Sequence, residues 1–337
     1  MNSSLLSLAQ AGDQGAFAEL TRPYRRELHV HCYRMLGSVA DADDLLQETM
    51  VAAWRGLAGF GGQASLRAWL YRIATNRCLN AIRDTKRRPP PVPVAPFDPP
   101  PPSRRTEITW LQPYPDAWLE DLSPGPGARI ETQETIRLAF VAALQRLPPR
   151  QTAAVVLCDV LGFAVAEAAA MLEVTPTAVK GLRQRARATL AAAKSGVDAA
   201  GATEDDDLAR RFADAYAADD VDGVIGLLTD DAWLRMPPAP HEYQGRAAIA
   251  AFLRASLSGR AGRRLTLVPT RANRQPAFVC HFRRASGCGS DPSGLVVLDI
   301  AGDRIAAVTR WLDPGLPAIF TPDLDRELGR ALEGQGQ

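Results

Sequence analysis

Apolar residues recur at helical spacing through the first 88 residues of the chain. The acidic residues Asp41, Asp43 and Asp44 suit the positive end of a helix, and Leu46 and Met50 follow them at helical intervals. The glycine-rich stretch 59–62 interrupts this pattern, and a further helix is predicted over 66–83. The first segment is therefore expected to be all helical.

A second helical segment is predicted between residues 135 and 190. Its pattern favours four helices, at 135–147, 151–160, 163–172 and 175–190. Pro148 and Pro149 separate the first two, and a tight connection at Glu173 and Val174 separates the last two. The last pair therefore has the form of a helix-turn-helix.

The last helix of this pair has two different sides. Thr175 supplies an N-cap oxygen, Pro176 fits the first helical position, and Val179 and Ala186 begin an apolar stripe that continues to Leu190. The polar and basic residues of the helix are Thr177, Lys180, Gln184, Arg185 and Arg187. Such a helix offers its polar side to phosphates and base edges, so double-stranded DNA is the expected partner. An ordinary helical hairpin with a solvated basic face is the alternative.

Proline separates the two helical segments. Thirteen of the 26 prolines lie between residues 89 and 126, where they prevent a continuous helix and favour extended geometry. The same stretch holds Trp110, Tyr114 and Trp118, and because such aromatics are unusual in a passive spacer, part of it is expected to dock. A shorter boundary follows residue 194. The expected divisions are 1–88, a linker 89–133, 134–195, a short linker 196–206, 207–320 and a tail 321–337.

Positive charge is concentrated in the two helical segments, although the formal net charge of the chain is only +1. Residues 1–88 hold 12 Lys and Arg against 8 Asp and Glu, and residues 134–196 hold 8 against 4. The rest of the chain is balanced or acidic. Both helical segments are therefore expected to contact a polyanion.

One side of the helix predicted over 66–83 combines an aromatic ring with amides and guanidinium groups. Its members are Trp69, Arg72, Asn76, Asn80 and Arg83. Stacking, base-edge hydrogen bonding and phosphate binding by such groups suit single-stranded nucleic acid. The alternative is that Trp69 anchors the core and the arginines form a solvated fringe.

The sequence favours a reduced, cytoplasmic protein. It has no run of about 18 apolar residues and no basic start followed by an apolar block, so no membrane partner is expected. Its five cysteines are scattered without a CxxC pair, which predicts neither a disulfide framework nor a zinc site. No cofactor, metal or catalytic residue is predicted.

Residues 207–320 follow a different pattern. A long helix, a short helix, a strand and a third helix precede segments that alternate as strands do. Helices before a bent antiparallel sheet indicate an α+β cone. The residues expected to line a pocket in this cone are Trp233, Met236, His241, Tyr243, His281 and Trp311.

The motifs HCYRMLGSVADADDLLQETMVAAWRGL, WLYRIATNRCLNAIR and LQRLPPRQTAAVVLCDVLGF resemble regions two and four of bacterial sigma factors of the extracytoplasmic-function group. The resemblance implies that the first segment binds the -10 promoter box and the second the -35 box, while both are docked on core RNA polymerase. Through ANRQPAF and DRIAAVTRW, the third segment resembles the SnoaL-like, NTF2-like superfamily. The expected fold class is multidomain, with all-α region 2, helix-turn-helix region 4 and an α+β NTF2-like cone.

The resemblance also implies roles for individual residues. Asp44, Gln47 and Glu48 are similar to the surface that meets polymerase, with a solvated helix face as the alternative. The set similar to the part that captures the melted non-template strand is Phe60, Arg67, Trp69, Arg72, Asn76, Asn80 and Arg83. The helix at 175–190 is similar to the one that enters the upstream major groove. Gln63, Leu66, Gly181 and Leu182 differ from the usual pattern, so the promoter sequence does not transfer.

Two functions fit these observations. The first is a sigma factor whose third domain regulates its activity, with a small-molecule ligand as one means of control. The alternative is a SnoaL-like enzyme or ligand-sensing domain fused to a DNA-binding module that acts without polymerase. Because spacing pairs neither His241 nor His281 with a carboxylate, a non-enzymatic role is expected. The linker carboxylates Asp116, Glu120 and Asp121 are expected to lie where nascent RNA passes.

Overall fold

The protein divides into two compact units, each built from separated parts of the chain. The first unit contains residues 1–90 and 118–194, and the second contains residues 91–117 and 195–337. The computed structural model describes residues 3–85, 97–105, 111–119, 135–193, 202–260, 262–284 and 290–321.

The described part of the first unit is helical. Its helices are α1 (Ser3–Gln10), α2 (Gln14–Leu36), α3 (Val39–Gly56), α4 (Leu66–Thr85), α5 (Leu138–Gln145), α6 (Pro149–Val155), α7 (Val165–Leu172) and α8 (Pro176–Ala193). Ser38 caps α3, since its hydroxyl oxygen accepts a hydrogen bond from the Asp41 backbone N–H at 3.1 Å. Both predicted helical segments are confirmed.

The core of the first unit lies where α2, α3 and α4 pack together. Leu28, Tyr33 and Leu70 are completely buried in it. His31 joins α2 to α4, because its Nε2 lies 2.9 Å from the Thr75 hydroxyl oxygen. Burial, helped by nearby arginines, lowers the pKa of His31 to about 3, so the ring is neutral at pH 7.

Helix α4 also packs against α7, which comes from the second helical segment. The rings of Tyr71 and Phe163 are in edge contact at 5.2 Å between centroids. The Arg67 guanidinium lies over both rings, at 4.9 Å and 4.7 Å from their centroids. The two segments predicted to read DNA therefore belong to one compact unit.

The second unit is a seven-stranded sheet with helices packed on it. Its helices are α9 (Ala202–Ala217), α10 (Val221–Gly226), α11 (Arg246–Ser258) and α12 (Leu316–Phe320). Its strands are β1 (Arg104–Arg105), β2 (Leu228–Arg235), β3 (His241–Gln244), β4 (Leu265–Ala272), β5 (Gln275–Arg283), β6 (Ser290–Ala301) and β7 (Arg304–Trp311). The order across the sheet is β1, β3, β2, β7, β6, β5, β4.

The sheet is mixed, whereas the sequence pattern predicts an antiparallel one. Strand β2 runs parallel to β7, with Leu234 opposite Val308, and the other neighbouring strands pair antiparallel. The turn between β4 and β5 consists of Asn273 and Arg274, both with positive φ, at 55° and 60°. This is the backbone of a two-residue hairpin turn, which asparagine adopts readily. The α+β class is confirmed, with this correction to strand direction.

A strap, made of residues 97–105 and 111–117, completes the second unit. Its strand β1 pairs with the sheet edge, with Arg105 opposite His241. Tyr114 is fully buried, and its backbone forms two hydrogen bonds with Asn273, at 2.8 Å and 2.9 Å. The Trp311 indole N–H donates to the Leu111 carbonyl at 2.5 Å. The docking expected for an aromatic part of the linker is thus confirmed for Tyr114, while Trp110 lies outside the described residues.

Candidate nucleic-acid interface

The helix-turn-helix formed by α7 and α8 has the local geometry that its sequence predicts. Helix α7 ends at Glu173, whose φ of 54° is left-handed and turns the chain sharply. The Thr175 hydroxyl oxygen then accepts a hydrogen bond from the Ala178 N–H at 3.2 Å and caps α8. Val179 and Ala186 are completely buried, which fixes the rotation of α8 about its axis.

The side of α8 away from this core is polar and solvent-exposed. Thr177, Lys180, Gln184 and Arg185 are all exposed. Arg187 is exposed too, with 62% of its side chain accessible, but it is engaged by Asp159. The structure therefore brings the five predicted recognition residues to the accessible sides of one helix.

Asp159 forms a three-membered ionic cluster with Arg183 and Arg187. It lies in a π-helical turn, Val156–Val160, between α6 and α7. Arg187 donates to it through Nε at 2.8 Å and Nη2 at 2.9 Å, and Arg183 through Nε at 2.9 Å. This bonding raises the pKa of Arg187 and keeps its guanidinium charged. Sequence reasoning missed Asp159, because spacing in one helix says nothing about a carboxylate in another.

The residues predicted to capture single-stranded DNA have unequal exposure. Arg72, Asn80 and Arg83 are exposed, while Trp69 and Asn76 are half-buried. Trp69 packs on Phe60 at 5.1 Å between ring centroids, and Phe60 is buried, so this aromatic pair forms part of the local core as well as its edge.

Arg67 has internal partners. Its Nε donates to the Glu27 carboxylate at 3.1 Å, and the Tyr71 hydroxyl donates to the same carboxylate oxygen at 3.2 Å. The guanidinium of Arg67 is therefore held by the Glu27 carboxylate at its edge and by the rings of Tyr71 and Phe163 against its face. The structure therefore separates Arg67 from the exposed members of the predicted set.

The face of α3 predicted to meet polymerase is exposed. Asp44, Gln47 and Glu48 all point to solvent, and Glu48 accepts a hydrogen bond from Arg77 of α4 at 2.9 Å. Val51 lies on the same face and is 48% exposed, among the most exposed large apolar residues described. The sequence analysis missed Val51, since a valine in a helical apolar pattern is expected to be buried.

An open cleft of about 570 Å³ lies between α2 and α3. Its walls are Arg22, Pro23, Arg25, Arg26, His29, Asp43, Leu46 and Trp118. The Trp118 ring is in edge contact with His29 at 5.7 Å, and the Arg26 guanidinium lies 5.5 Å from its centroid. Burial lowers the pKa of His29 to about 4, although the negative charge of Asp43 acts to raise it. A linker aromatic thus contributes to the surface of the first unit.

The six residues expected to line one pocket in the second unit lie on two faces of the sheet. Tyr243 belongs to the core beneath the helices, Met236 packs against that core, and His241 shares the strand face of Tyr243. Trp233, His281 and Trp311 alternate with core residues and therefore lie on the other face. Trp311 is buried by its bond to the strap. The prediction that these six residues line one pocket is therefore wrong, because side chains alternate along a strand and place the six on opposite faces of the sheet.

The predicted role of Asp116 also needs correction. Its carboxylate is buried and accepts a hydrogen bond from the Arg274 backbone N–H at 2.8 Å, within the second unit. A carboxylate used in this way cannot project toward nascent RNA. Glu120 and Asp121 lie outside the described residues.

Three family models match the chain in succession. They are Sigma-70 region 2 at residues 20–88, Sigma-70 region 4 at residues 137–190, and a SnoaL-like domain at residues 209–308. The sigma regions cover the helices with the exposed faces described above. The SnoaL-like match covers most of the mixed sheet.

A relative along nearly the whole length decides the family. The chain is 41% identical to the ECF RNA polymerase sigma factor SigG of Mycobacterium tuberculosis, over 92% of this chain and 85% of that protein. The chain belongs to the ECF sigma factor family. This sigma factor is also 31% identical to SigJ of the same organism, over 68% of its own length and 69% of SigJ.

A solved structure shows the same fold at low sequence identity. The crystal structure of the Mycobacterium tuberculosis extracytoplasmic function sigma factor SigJ matches with a TM-score of 0.58 at 20% identity, covering 88% of this sigma factor and 96% of that chain. The two chains therefore share a fold over most of their lengths. Within the described residues of this sigma factor, the helices are too short or too polar to span a membrane.

Proposed function

We propose that this sigma factor divides promoter recognition between α8 and α4. Helix α8 enters the major groove of the -35 box through Thr177, Lys180 and Gln184, with Arg185 on the phosphate backbone. The observation that carries this proposal is the geometry of α8: its N-terminus is capped, its apolar side is buried through Val179 and Ala186, and its polar side is exposed. A rigid helix with one accessible polar face is what duplex recognition requires.

Helix α4 captures the melted non-template strand of the -10 box. The exposed groups Arg72, Asn80 and Arg83 bind the strand, and the accessible part of the half-buried Trp69 ring stacks on an unpaired base. The packing of Trp69 on Phe60 supports this role, because it holds the ring in place before DNA arrives. Arg67 acts indirectly, by fixing α4 against Glu27.

A pair of variants separates these two activities. Lys180→Ala combined with Arg185→Ala should weaken binding of the holoenzyme to duplex promoter DNA. The slope of its salt dependence should also become shallower, by about 0.9 for each phosphate that the variant no longer neutralises. Trp69→Ala should spare duplex binding and slow promoter opening, measured by the reactivity of unpaired thymines. Equal losses in both assays for both variants would contradict the division.

The exposed face of α3 binds core polymerase. Asp44, Gln47 and Glu48 lie beside the apolar Val51 on one exposed face of α3, and an apolar group bordered by polar ones is the arrangement found in protein interfaces. Run-off transcription with purified core polymerase tests the whole proposal. Specific initiation from a promoter selected by the holoenzyme supports it, and the absence of any initiation would instead favour a regulator that works without polymerase.

The SnoaL-like domain regulates activity through the strap. The strap lies in the chain between the two DNA-reading segments, yet its residues are integrated into the second unit through Tyr114, Leu111 and β1. Because the pocket candidates lie on opposite faces of the sheet, we assign control to this built-in contact rather than to a ligand. A chain that ends at residue 200 leaves Tyr114 and Leu111 without their partners. We expect it to give a different ratio of abortive to full-length product, and an unchanged ratio would contradict this assignment.

A further inference from the structure

The ionic cluster of Asp159, Arg183 and Arg187 lies on one side of the recognition helix α8, next to the proposed DNA-reading face. Arg187 lies seven residues after Lys180, so at about 100° per residue the two side chains are only about 20° apart around α8. Arg183 lies farther toward the core, and its side chain is 22% exposed. Arg187 therefore stands at the edge of the proposed DNA-reading face, with Asp159 behind it.

The carboxylate of Asp159 fixes one edge of the Arg187 guanidinium. It takes the Nε and Nη2 protons in a bidentate pair and is itself only 18% exposed. The Nη1 group takes no part in this pair. A bidentate pair restricts a planar guanidinium to one orientation, so the N–H bonds left over point in a fixed direction.

The same carboxylate also opposes loose binding to the DNA backbone. Asp159 shares its single negative charge between two arginines, which lowers the local positive charge that any phosphate would encounter. Non-specific DNA affinity comes almost entirely from such cation and phosphate contacts. An oriented hydrogen bond to a base edge is weakened less, because it depends on geometry as well as on charge.

We propose that Asp159 is a positioning residue for promoter discrimination: it aims Arg187 at the -35 box and keeps Arg183 and Arg187 from binding phosphates of unrelated sequence. This inference rests on the proposed role of α8 in duplex recognition. The π-helical turn contributes to this positioning, because it holds the Asp159 carboxylate beside α8 from a neighbouring element.

The test compares two templates transcribed by holoenzyme reconstituted from the full-length chain. One carries a -35 sequence selected by that holoenzyme from a randomised library, and the other carries the same promoter with a scrambled -35 sequence. Asp159→Asn should lower run-off from the selected template and raise it from the scrambled one by about two- to fivefold. Discrimination between them should fall by about fivefold or more. Asp222→Asn, which removes an exposed carboxylate paired with Arg254 at 2.7 Å in the second unit, is the charge-matched control and should leave the ratio unchanged.

The direction of change on the scrambled template separates positioning from mere stability. Equal losses on both templates would mean that Asp159 only holds the helices together, and would overturn the inference. Arg187→Lys, which keeps the charge but not the bidentate pair, should reduce discrimination like Asp159→Asn, and Asp159→Glu should restore part of it. Undiminished discrimination by either Asp159→Asn or Arg187→Lys would also overturn the inference. Wild-type holoenzyme that initiates equally from both templates would refute the proposed role of α8 itself.

Discussion

Replacing Tyr114 with alanine tests whether the strap is a structural part of the SnoaL-like domain. The side chain of Tyr114 is fully buried although it belongs to a proline-rich segment that precedes the domain by almost 100 residues. Removing a large aromatic side chain from a fully packed site costs about 3–5 kcal/mol. The backbone hydrogen bonds with Asn273 survive the change, so the effect comes from packing.

Hydrogen exchange of the full-length protein measures this effect element by element. A destabilisation of about 3–5 kcal/mol should accelerate exchange of the most protected amides in β5 and β6 by about 10²- to 4 × 10³-fold, since each 1.4 kcal/mol corresponds to a factor of ten. Amides of α2 and α4 in the first unit should be unaffected. Leu312→Ala is the control, because Leu312 follows β7 in the same domain but is 49% exposed, and its truncation should change stability by about 0.5 kcal/mol or less.

Unchanged protection of β5 and β6 in Tyr114→Ala would refute the reasoning. It would mean that the sheet is stable without the strap and that the burial of Tyr114 contributes little. The regulatory role assigned to the strap would then lose its physical basis.

Two further predictions concern the first unit. Val51→Asp should weaken binding to core polymerase by about 10-fold or more, because it places an unpaired carboxylate in the contact. Leu8→Asp, at an equally exposed apolar site in α1, should not, and comparable weakening by both variants in a fluorescence titration would count against the α3 face. His31, whose pKa is about 3 in the fold and about 6.5 in the unfolded chain, is neutral in both states above pH 6.5. Below that pH only the unfolded chain binds the proton. His31 alone should therefore lower the stability of the first unit by up to about 1.4 kcal/mol per pH unit between pH 6.5 and 5 in urea titrations, and the buried His29, with its pKa lowered to about 4, adds a slope of the same sign. His31→Gln should remove the first contribution and leave the second, and a slope equal to that of the wild type would exclude His31 as a cause.

Local signals in the sequence predicted the helices well. The Thr175 cap, the proline that follows it and the apolar stripe through Val179 and Ala186 all act within a few residues, and the structure confirms each. The exposed polar side of α8 follows from the same periodicity, because burying one side of a helix exposes the other.

Contacts between distant parts of the chain were not predictable in this way. Alternation of apolar residues is the same in parallel and antiparallel strands, so it does not reveal that β2 pairs with β7. The proline content of the linker predicts extended chain, but the partner of Tyr114 is Asn273, which is 159 residues away. Asp159 meets Arg187 across 28 residues, from a π-helical turn that the apolar periodicity does not predict. In each case the deciding partner belongs to another element.

The pairing of β1 with β3 has a consequence for biosynthesis. Arg105 leaves the ribosome more than 130 residues before His241, the residue it faces in the finished sheet. At about 5–20 residues per second, this delay is roughly 7 to 30 s. Throughout that interval Leu111 and Tyr114 are apolar groups on a nascent chain without their partners, and this is the period in which chaperones or proteases have access to them.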